Sequence, residues 1–270
     1  MLPSPALDSL HSIQRSAPTE PGIAATCKRQ AVPFTCDAQP AELRIAGFTP
    51  LTTVDFPGEL AAVVFCQGCP WQCRYCHNAH LLADEGREPI GWDQIRAFLE
   101  QRRGLLDGVV FSGGEPTVQG ELATAMAEVK ALGFKVGLHT GGPAPERLAR
   151  LLPWLDWVGL DIKALPEDYP AITGVAGSGE RAWASLHQLL AAGVALEVRT
   201  TLMPGWRFAE DLRPLMDGLA AAGVTRYVLQ AMRAATARDP AIAVAGDVSP
   251  PAAAIDYGTA RFADFGVRGA

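Results

Sequence analysis

The sequence predicts an α/β fold in which parallel strands alternate with helices, and two observations support this. First, short runs rich in valine, isoleucine and leucine recur along the chain. Second, each run is followed by a segment with helical spacing of apolar residues, and several of these segments stop at a glycine. Such alternation is typical of parallel strands joined by right-handed crossovers. Six such strands are too few for a closed eight-stranded barrel, so they suit an open partial barrel or a doubly wound sheet.

The predicted elements follow one another from residue 43 onward. The stretch LRIAGFTPLTTVDFPG (43–58) predicts a hairpin-like start. Strands are predicted at 61–66, 108–113, 135–140, 156–163, 195–202 and 226–230. Helices are predicted at 92–103, 121–133, 145–152, 180–193 and 209–223. Ligands of such folds gather at the carboxyl ends of the strands, so we expect the functional residues there.

Composition divides the chain into three regions. Residues 1–42 are rich in Pro, Ala, Ser and Thr without a sustained period, which predicts a disordered leader. Its Cys27 and Cys36 lie nine apart, which matches no compact ligand spacing, and we interpret them as unpaired thiols. Residues 43–231 form the predicted barrel domain. Residues 232–270 are Ala-rich with scattered prolines and predict an irregular tail or a short closing helix.

Charge and hydropathy exclude several classes of protein. The net charge is -6 and no block of Lys or Arg occurs, which argues against binding to nucleic acid. No apolar run approaches the roughly 18 residues that a membrane span needs. The amino-terminal residues contain no apolar signal segment, which argues against export and a disulfide framework. We therefore expect a cytoplasmic protein with reduced cysteines.

Four of the six cysteines lie within VVFCQGCPWQCRYCHN (63–78), at Cys66, Cys69, Cys73 and Cys76. A zinc site normally has a second ligand pair downstream, and no cysteine follows Cys76. A thioredoxin-type pair fits poorly because the loop carries two further thiols. The spacing of the last three cysteines suggests a [4Fe–4S] cluster with one iron left open, and a four-thiolate zinc site remains an alternative. We interpret Cys66 as a small core residue.

The spacing C-x3-C-x2-C, with Tyr75 before the last cysteine, resembles the signature of the radical S-adenosylmethionine (SAM) superfamily. The longer phrase TTVDFPG…VVFCQGCPWQCRYCHN is similar to glycyl-radical-enzyme activases, and most to those of anaerobic ribonucleoside-triphosphate reductase. The likeness runs from about Leu43 to about Gln230. It implies a partial (β/α)6 barrel of the TIM type, with a [4Fe–4S] cluster on Cys69, Cys73 and Cys76 and SAM at the open iron. It also implies that reductive cleavage of SAM gives a 5'-deoxyadenosyl radical, which abstracts a hydrogen atom.

The same resemblance implies a SAM pocket made from several short phrases. Its residues here are Tyr75, His77, Ser112, Gly113, Gly114, Glu115, His139, Asp161, Lys163 and Arg199. Paired glycines in FSGGEP (111–116) would let the backbone approach a ligand closely. Asp161 and Lys163 share one side of a strand end, where a salt bridge remains the alternative. An arginine within a strand needs an anionic partner, and a buried histidine can be a satisfied core residue, so these two roles stay open.

The resemblance also implies partner proteins, and two alternative functions remain open. Hydrogen-atom abstraction needs no acid–base pair, and the sequence shows no convincing one. The implied partners are a glycyl-radical enzyme, anaerobic ribonucleotide reductase, and a low-potential electron donor such as flavodoxin or ferredoxin. The first alternative is a radical SAM enzyme that acts on a small molecule, of the 7-carboxy-7-deazaguanine synthase type. The second is a non-catalytic zinc or iron–sulfur module.

Overall fold

The computed structural model describes residues 43–83 and 90–269, so the predicted leader with Cys27 and Cys36 lies outside the described residues. The described chain contains one eight-stranded sheet whose strands lie side by side in chain order. The strands are β1 (Ile45–Thr52), β2 (Ala61–Cys66), β3 (Gly108–Gly113), β4 (Lys135–Thr140), β5 (Trp157–Asp161), β6 (Ala195–Thr201), β7 (Arg226–Gln230) and β8 (Asp264–Arg268). The α-helices are α1 (Trp92–Glu100), α2 (Leu122–Ala131), α3 (Pro145–Leu151), α4 (Tyr169–Thr173), α5 (Ser178–Ala192), α6 (Arg213–Ala221), α7 (Pro240–Ala245) and α8 (Ala252–Arg261).

The sheet is a partial barrel of the TIM type, as the sequence predicts. β1 pairs with β2 in antiparallel orientation, which confirms the hairpin-like start, and every later pair is parallel. All six predicted parallel strands are present. Buried apolar residues of the helices, such as Ile95, Met126 and Leu186, belong to the same hydrophobic core as residues of these strands. No α-helix in the described ranges is long and apolar enough to cross a membrane.

The carboxyl-terminal region differs from the predicted irregular tail. Residues 252–261 form helix α8, in line with the predicted closing helix, but residues 264–268 form a seventh parallel strand. β8 pairs with β7 in the register Arg226↔Asp264 to Gln230↔Arg268. The strand was missed because DFGVR is short and has a central glycine, so its own sequence favours a strand only weakly. Contacts with the rest of the barrel decide its conformation.

A single aromatic side chain closes the amino-terminal end of the barrel. Phe56, from the phrase DFPG, stacks on Trp157 with ring centroids 5.5 Å apart. Together with Ala61, Val63 and Val110 these rings form a small buried cluster at the strand starts. A Cβ on Gly108 would lie 2.9 Å from the Phe56 ring, so the ring fits only because this position is glycine. The DFPG phrase therefore builds the floor of the barrel.

A buried carboxylate links three strands above this floor. Glu197 on β6 is fully buried and accepts hydrogen bonds from Arg199 Nε (2.8 Å) and Arg226 Nε (2.8 Å). Arg268 on β8 binds the same carboxylate through Nη1 (2.7 Å) and Nη2 (2.9 Å). A bidentate pair of this kind fixes direction as well as distance. The Arg268 pair therefore attaches the last strand to the interior of the barrel.

We predict that Glu197→Gln destabilises the protein by about 3–5 kcal/mol, because it leaves three guanidinium groups close together without their carboxylate. Urea unfolding at pH 7, followed by tryptophan fluorescence, measures the change. Glu210→Gln is the matched control, since Glu210 is half-exposed and lies 3.4 Å from Arg207. Its effect should stay below about 1 kcal/mol. Equal effects of the two substitutions would refute the role given to Glu197.

The difference in the free energy of unfolding between wild type and Glu197→Gln should depend on pH in a defined direction. Burial alone would raise the pKa of Glu197, but Arg199, Arg226 and Arg268 outweigh burial and hold the pKa below its ordinary value of 4.5. A carboxyl group with a lowered folded pKa contributes stability above its unfolded pKa and loses it as pH falls through the folded pKa. The gap between wild type and Glu197→Gln should therefore narrow in the acid range below about pH 4.5.

Candidate functional site

The cysteine-rich loop follows β2 and is held by backbone hydrogen bonds on both of its sides. Gly68 N donates to Leu81 O (2.8 Å) on one side. Gln72 N donates to Thr173 O (2.9 Å) and Arg74 N donates to Ile172 O (3.0 Å) at helix α4 on the other. These bonds fix the path of the loop without using any of the thiols. Cys66, Cys69, Cys73 and Cys76 are all free of disulfides.

Three of these four thiols line one cavity. Cys69, Cys73 and Cys76 lie on its wall, and the cavity has a volume of about 250 Å³. It lies at the carboxyl ends of the strands, where Gly113 ends β3 and Asp161 ends β5. Cys66 is different, because it ends β2 and is completely buried in the main hydrophobic core. Its position agrees with the interpretation of Cys66 as a small core residue.

The loop and the phrase FSGGEP meet through their backbones. Gly114 N donates to Cys66 O (2.8 Å) and Glu115 N donates to Gly68 O (2.8 Å). Gly113 has φ +110°, and a Cβ there would lie 2.4 Å from Cys66 N. A Cβ on Gly114 would lie 2.3 Å from Gly68 O. Both positions therefore require glycine, since any side chain would push the two segments apart.

Glu115 places a buried carboxylate on the cavity wall. Its Oε1 accepts from Thr117 N (3.1 Å), Thr117 Oγ1 (2.6 Å) and Thr140 Oγ1 (2.7 Å), and its Oε2 accepts from Gly141 N (2.9 Å). Burial raises the pKa of Glu115, while these hydrogen bonds counteract the increase. Oε2 receives only this one hydrogen bond in the described chain, so it keeps capacity for another donor. A bound ammonium group fits that capacity.

The cavity wall also carries a buried cation. Lys163 is buried, and its Nζ lies 3.4 Å from Asp161 Oδ2 and 5.5 Å from the centre of the Tyr75 ring. Burial alone would lower the pKa of Lys163, but Tyr75, Asp161 and Cys73 raise it well above its ordinary value. The ammonium therefore stays charged, and it can attract a carboxylate. The predicted strand-end salt bridge exists, and both of its members also line the cavity.

The thiols lie in an environment that disfavours free thiolates. Burial and the nearby Glu115 raise the pKa of Cys69 to about 12. Burial also raises the pKa of Cys73, although Lys163 counteracts it. Metal binding must therefore release protons from these groups. In the described part of the chain, no three Cys, His, Asp or Glu side chains converge closely enough to hold a single metal ion.

Three residues of the predicted SAM pocket do not line this cavity. Ser112, His139 and Arg199 lie deeper in the barrel. Burial and Arg199 lower the pKa of His139, so its ring is neutral, and Nε2–H donates to Asp55 O (2.8 Å) while Nδ1 accepts from Ser112 Oγ (3.3 Å). His139 is thus a histidine with both nitrogens satisfied. Arg199 has Glu197 as an anionic partner within the protein, and a role for Arg199 at SAM stays a prediction.

The remaining predicted residues do meet at the cavity, together with several that were not predicted. Tyr75, His77, Gly113, Gly114, Glu115, Asp161 and Lys163 line it. The unpredicted ones are Trp71, Asn78, Leu82, Gly141, Thr201 and Gln230. Thr201 and Gln230 are paired at the ends of β6 and β7, so the strand-end rule would have found them. Gly141 carries no such signal, because its role is to make room for Trp71, whose ring would lie 2.7 Å from a Cβ there.

The cavity fits the two cofactors that the sequence resemblance implies. Three thiols without disulfides are the ligand type that iron–sulfur clusters take, one per iron. The Tyr75 hydroxyl is buried without a hydrogen-bond partner in the described chain, although a buried hydroxyl normally has one. Glu115 and Asp161 offer acceptors for an amine and Lys163 offers a donor for a carboxylate. The donor set therefore suits an amino acid beside a cluster.

Comparisons with known proteins point in the same direction. The sequence profile described as "Radical SAM superfamily" matches residues 63–217 of this chain. The pyruvate formate-lyase-activating enzyme of Clostridium pasteurianum is 31% identical over 168 residues, which cover 60% of this chain and 69% of that protein. The pyruvate formate-lyase 1-activating enzyme of Escherichia coli K12 is 28% identical over 177 residues, covering 62% and 71%.

A solved structure shares the fold. The crystal structure of Streptococcus suis SuiB bound to S-adenosylmethionine superposes with a TM-score of 0.54 at 17% sequence identity. The likeness covers 75% of this chain and 48% of SuiB, so this chain spans about half the length of that protein. At this identity the likeness establishes the common fold only.

We predict that Gly114→Ala disrupts the contact between the cysteine loop and β3. The added Cβ would lie 2.3 Å from Gly68 O, and the backbone shift should cost about 1–3 kcal/mol. Urea unfolding measures the loss, and iron content after anaerobic reconstitution should fall because the thiols move. Gly120→Ala is the matched control, since a Cβ there would meet nothing within 4 Å. A Gly114→Ala protein with normal stability and iron content would contradict this account.

Proposed function

We propose that this chain, which belongs to the radical SAM superfamily, abstracts a hydrogen atom from a glycine of a partner enzyme and so activates it. The observation that carries the proposal is one cavity that joins three free thiols to Glu115, Asp161 and Lys163. When bound, the [4Fe–4S] cluster and SAM of this superfamily supply the reductive cleavage and the hydrogen abstraction. The two relatives named above, each aligned over more than two thirds of its own length, are activating enzymes, and this supports the same class of reaction.

In this proposal the side chains have separate tasks. Cys69, Cys73 and Cys76 hold the cluster through their sulfur atoms. Glu115 and the backbone of Gly114 receive the amine of SAM, and Lys163 receives its carboxylate. Asp161 keeps the Lys163 ammonium in place through the 3.4 Å contact. The chain thus binds and orients the cofactors and keeps water from the reacting atoms, and no side chain has to move a proton.

We further propose that the partner is anaerobic ribonucleotide reductase. The support is the phrase TTVDFPG followed by VVFCQGCPWQCRYCHN, which is similar to the activating proteins of that enzyme. Pyruvate formate-lyase is the competing partner, because the relatives in C. pasteurianum and E. coli carry its name. A low-potential flavodoxin or ferredoxin would supply the electron. The proposed reaction takes place in the cytoplasm, where thiols remain reduced.

The ligand assignment gives a direct prediction. Cys69→Ala, Cys73→Ala and Cys76→Ala should each abolish cluster formation, because two thiolates do not hold a [4Fe–4S] cluster stably. Cys66→Ala is the matched control: it removes a thiol from the hydrophobic core and leaves the cavity wall intact. Visible absorption and iron content after anaerobic reconstitution measure the outcome. Loss of the cluster in Cys66→Ala, with retention in any of the other three, would overturn the assignment.

The activation itself is tested by electron paramagnetic resonance. The reduced, cluster-loaded protein with SAM should produce a doublet from a glycyl radical on anaerobic ribonucleotide reductase of the same organism. A reductase variant with the target glycine changed to alanine should give no doublet. Pyruvate formate-lyase, assayed in parallel, should remain radical-free. A doublet on the lyase alone would move the assignment to that partner.

SAM cleavage, assayed as release of 5'-deoxyadenosine, separates the remaining outcomes. If SAM is cleaved but neither partner gains a radical, while a small purine precursor is turned over, the 7-carboxy-7-deazaguanine synthase type of reaction replaces the activase. If purified protein contains zinc without iron and sulfide, the radical reaction itself is excluded.

A further inference from the structure

We call the cavity lined by Cys69, Cys73 and Cys76 the cysteine cavity. A second cavity lies beside it at the mouth of the barrel. It has a volume of about 270 Å³ and lies at the carboxyl ends of β6, β7 and β8. We call it the mouth cavity, and the residues on its wall that matter here are His77, Thr201, Gln230, Arg233 and Arg268. The first three also line the cysteine cavity. A group bound in the mouth cavity would therefore be an immediate neighbour of the bound cofactors.

The wall of the mouth cavity is positively charged in a chain whose net charge is -6. Among the described residues that line it, Arg233 and Arg268 are cationic and none is Asp or Glu. Arg268 belongs to the group around Glu197, in which three guanidinium groups share that carboxylate. Among residues 43–83 and 90–269, the only other acid in this group is Asp264, 2.8 Å from Arg226. One positive charge of the group is therefore not compensated.

Arg233 differs from Arg268 because its guanidinium has no hydrogen bond or ion pair to any described residue. The carboxylate of Asp247, on the neighbouring segment, accepts from Ala234 N (2.7 Å) instead. Gln230 also has donor capacity left: its Oε1 accepts from Thr201 Oγ1 (3.3 Å), and its amide nitrogen has no partner within the described ranges. The mouth cavity thus contains a guanidinium and an amide N–H2 group that both lack acceptors.

We propose that the mouth cavity is a binding site for a carboxylate group, held by the Arg233 guanidinium and the Gln230 amide. The planar fork of an arginine matches the two oxygens of a carboxylate. Arg268 already forms a two-bond pair with Glu197, whereas the Arg233 guanidinium has no partner among the described residues, so Arg233 is the cation available to pair with a ligand.

Two sources could supply the carboxylate. One is an acidic side chain of the partner polypeptide, and this source rests on the proposed function. A residue of an extended chain spans about 3.3 Å, so an acid one or two residues from the target glycine would reach across the shared wall of the two cavities. The other source is a free small carboxylic acid, which would occupy the mouth cavity without the partner.

Binding is tested on the cluster-loaded protein with SAM by calorimetric titration. The probe is N-acetyl-glutamate amide, and N-acetyl-glutamine amide is its neutral isostere. We expect the acid to bind at least about tenfold more tightly than the amide, and Arg233→Gln to remove this preference. Arg233→Lys, which keeps the charge but loses the fork, should retain part of it. Arg181→Gln changes an exposed arginine on α5 and should bind like wild type.

Any one of three results would refute the site. They are that wild type does not bind the acid probe, that it binds the acid and the amide probes equally, or that Arg233→Gln binds the acid probe as tightly as Arg181→Gln does. Acetate then distinguishes the sources. If acetate binds as tightly as the glutamate probe and Arg233→Gln forms as much glycyl radical per SAM cleaved as wild type, the ligand is a free acid. If Arg233→Gln forms less radical per SAM cleaved and acetate competes with the partner, the ligand is the partner's side chain.

Failure of the carboxylate site and failure of the proposed function give different results in these experiments. The titration requires neither SAM cleavage nor a partner, so a protein that bound the acid without cleaving SAM would retain the site and lose the activase assignment. A protein that installed the glycyl radical but showed no preference for the acid would retain the activase assignment and lose the site.

Discussion

The site depends on the close approach of two backbone segments. The segment Gly113–Glu115 donates two hydrogen bonds of 2.8 Å, from Gly114 N to Cys66 O and from Glu115 N to Gly68 O, and there is no room for a Cβ at Gly113 or Gly114. The contact sets where the cysteine loop leaves the sheet, and it also sets where Glu115 enters the cavity. Thiols and carboxylate come from different strands, and this one backbone contact gives them a common position.

The interior of the barrel is organised in layers along its axis. Aromatic rings of Phe56 and Trp157 fill the amino-terminal end and exclude water there. The ion network of Glu197 follows, and it connects β6, β7 and β8 through directional bonds that an apolar core could not provide. The cavity lies above both layers, so its wall rests on a rigid base. A barrel with an open edge needs such a base, because no pairing among the described strands joins β1 to β8.

The sequence predicted most of the fold because parallel strands buried on both faces are continuous apolar runs. The bounds of β2, β3, β4 and β7 agree with the predicted strands residue for residue. β8 was not predicted because its own sequence favours a strand only weakly, and its contact between Arg268 and Glu197 joins residues 71 apart, which local patterns do not contain. At Arg199 the anion is Glu197, two residues before it on β6, but the sequence alone does not tell a protein carboxylate from a ligand. Gly141 gives no chemical signal either, because it contributes only its backbone N–H to Glu115 and the space that Trp71 needs.

The charge distribution at the mouth gives the two cavities different roles. The cysteine cavity contains acids and a cation in contact, Asp161 with Lys163, which suits a zwitterionic ligand with an amine and a carboxylate. The neighbouring wall is cationic because β8 brings Arg268 to Glu197, whose single charge is already shared with Arg199 and Arg226. A ligand group that binds to that wall must be anionic. If it moved into the cysteine cavity, or the zwitterion moved to the wall, one of the charged groups would lose its partner. β8, the strand that the sequence did not predict, thus adds Arg268 to the cationic wall, and Arg233, which follows β7, supplies the second positive charge.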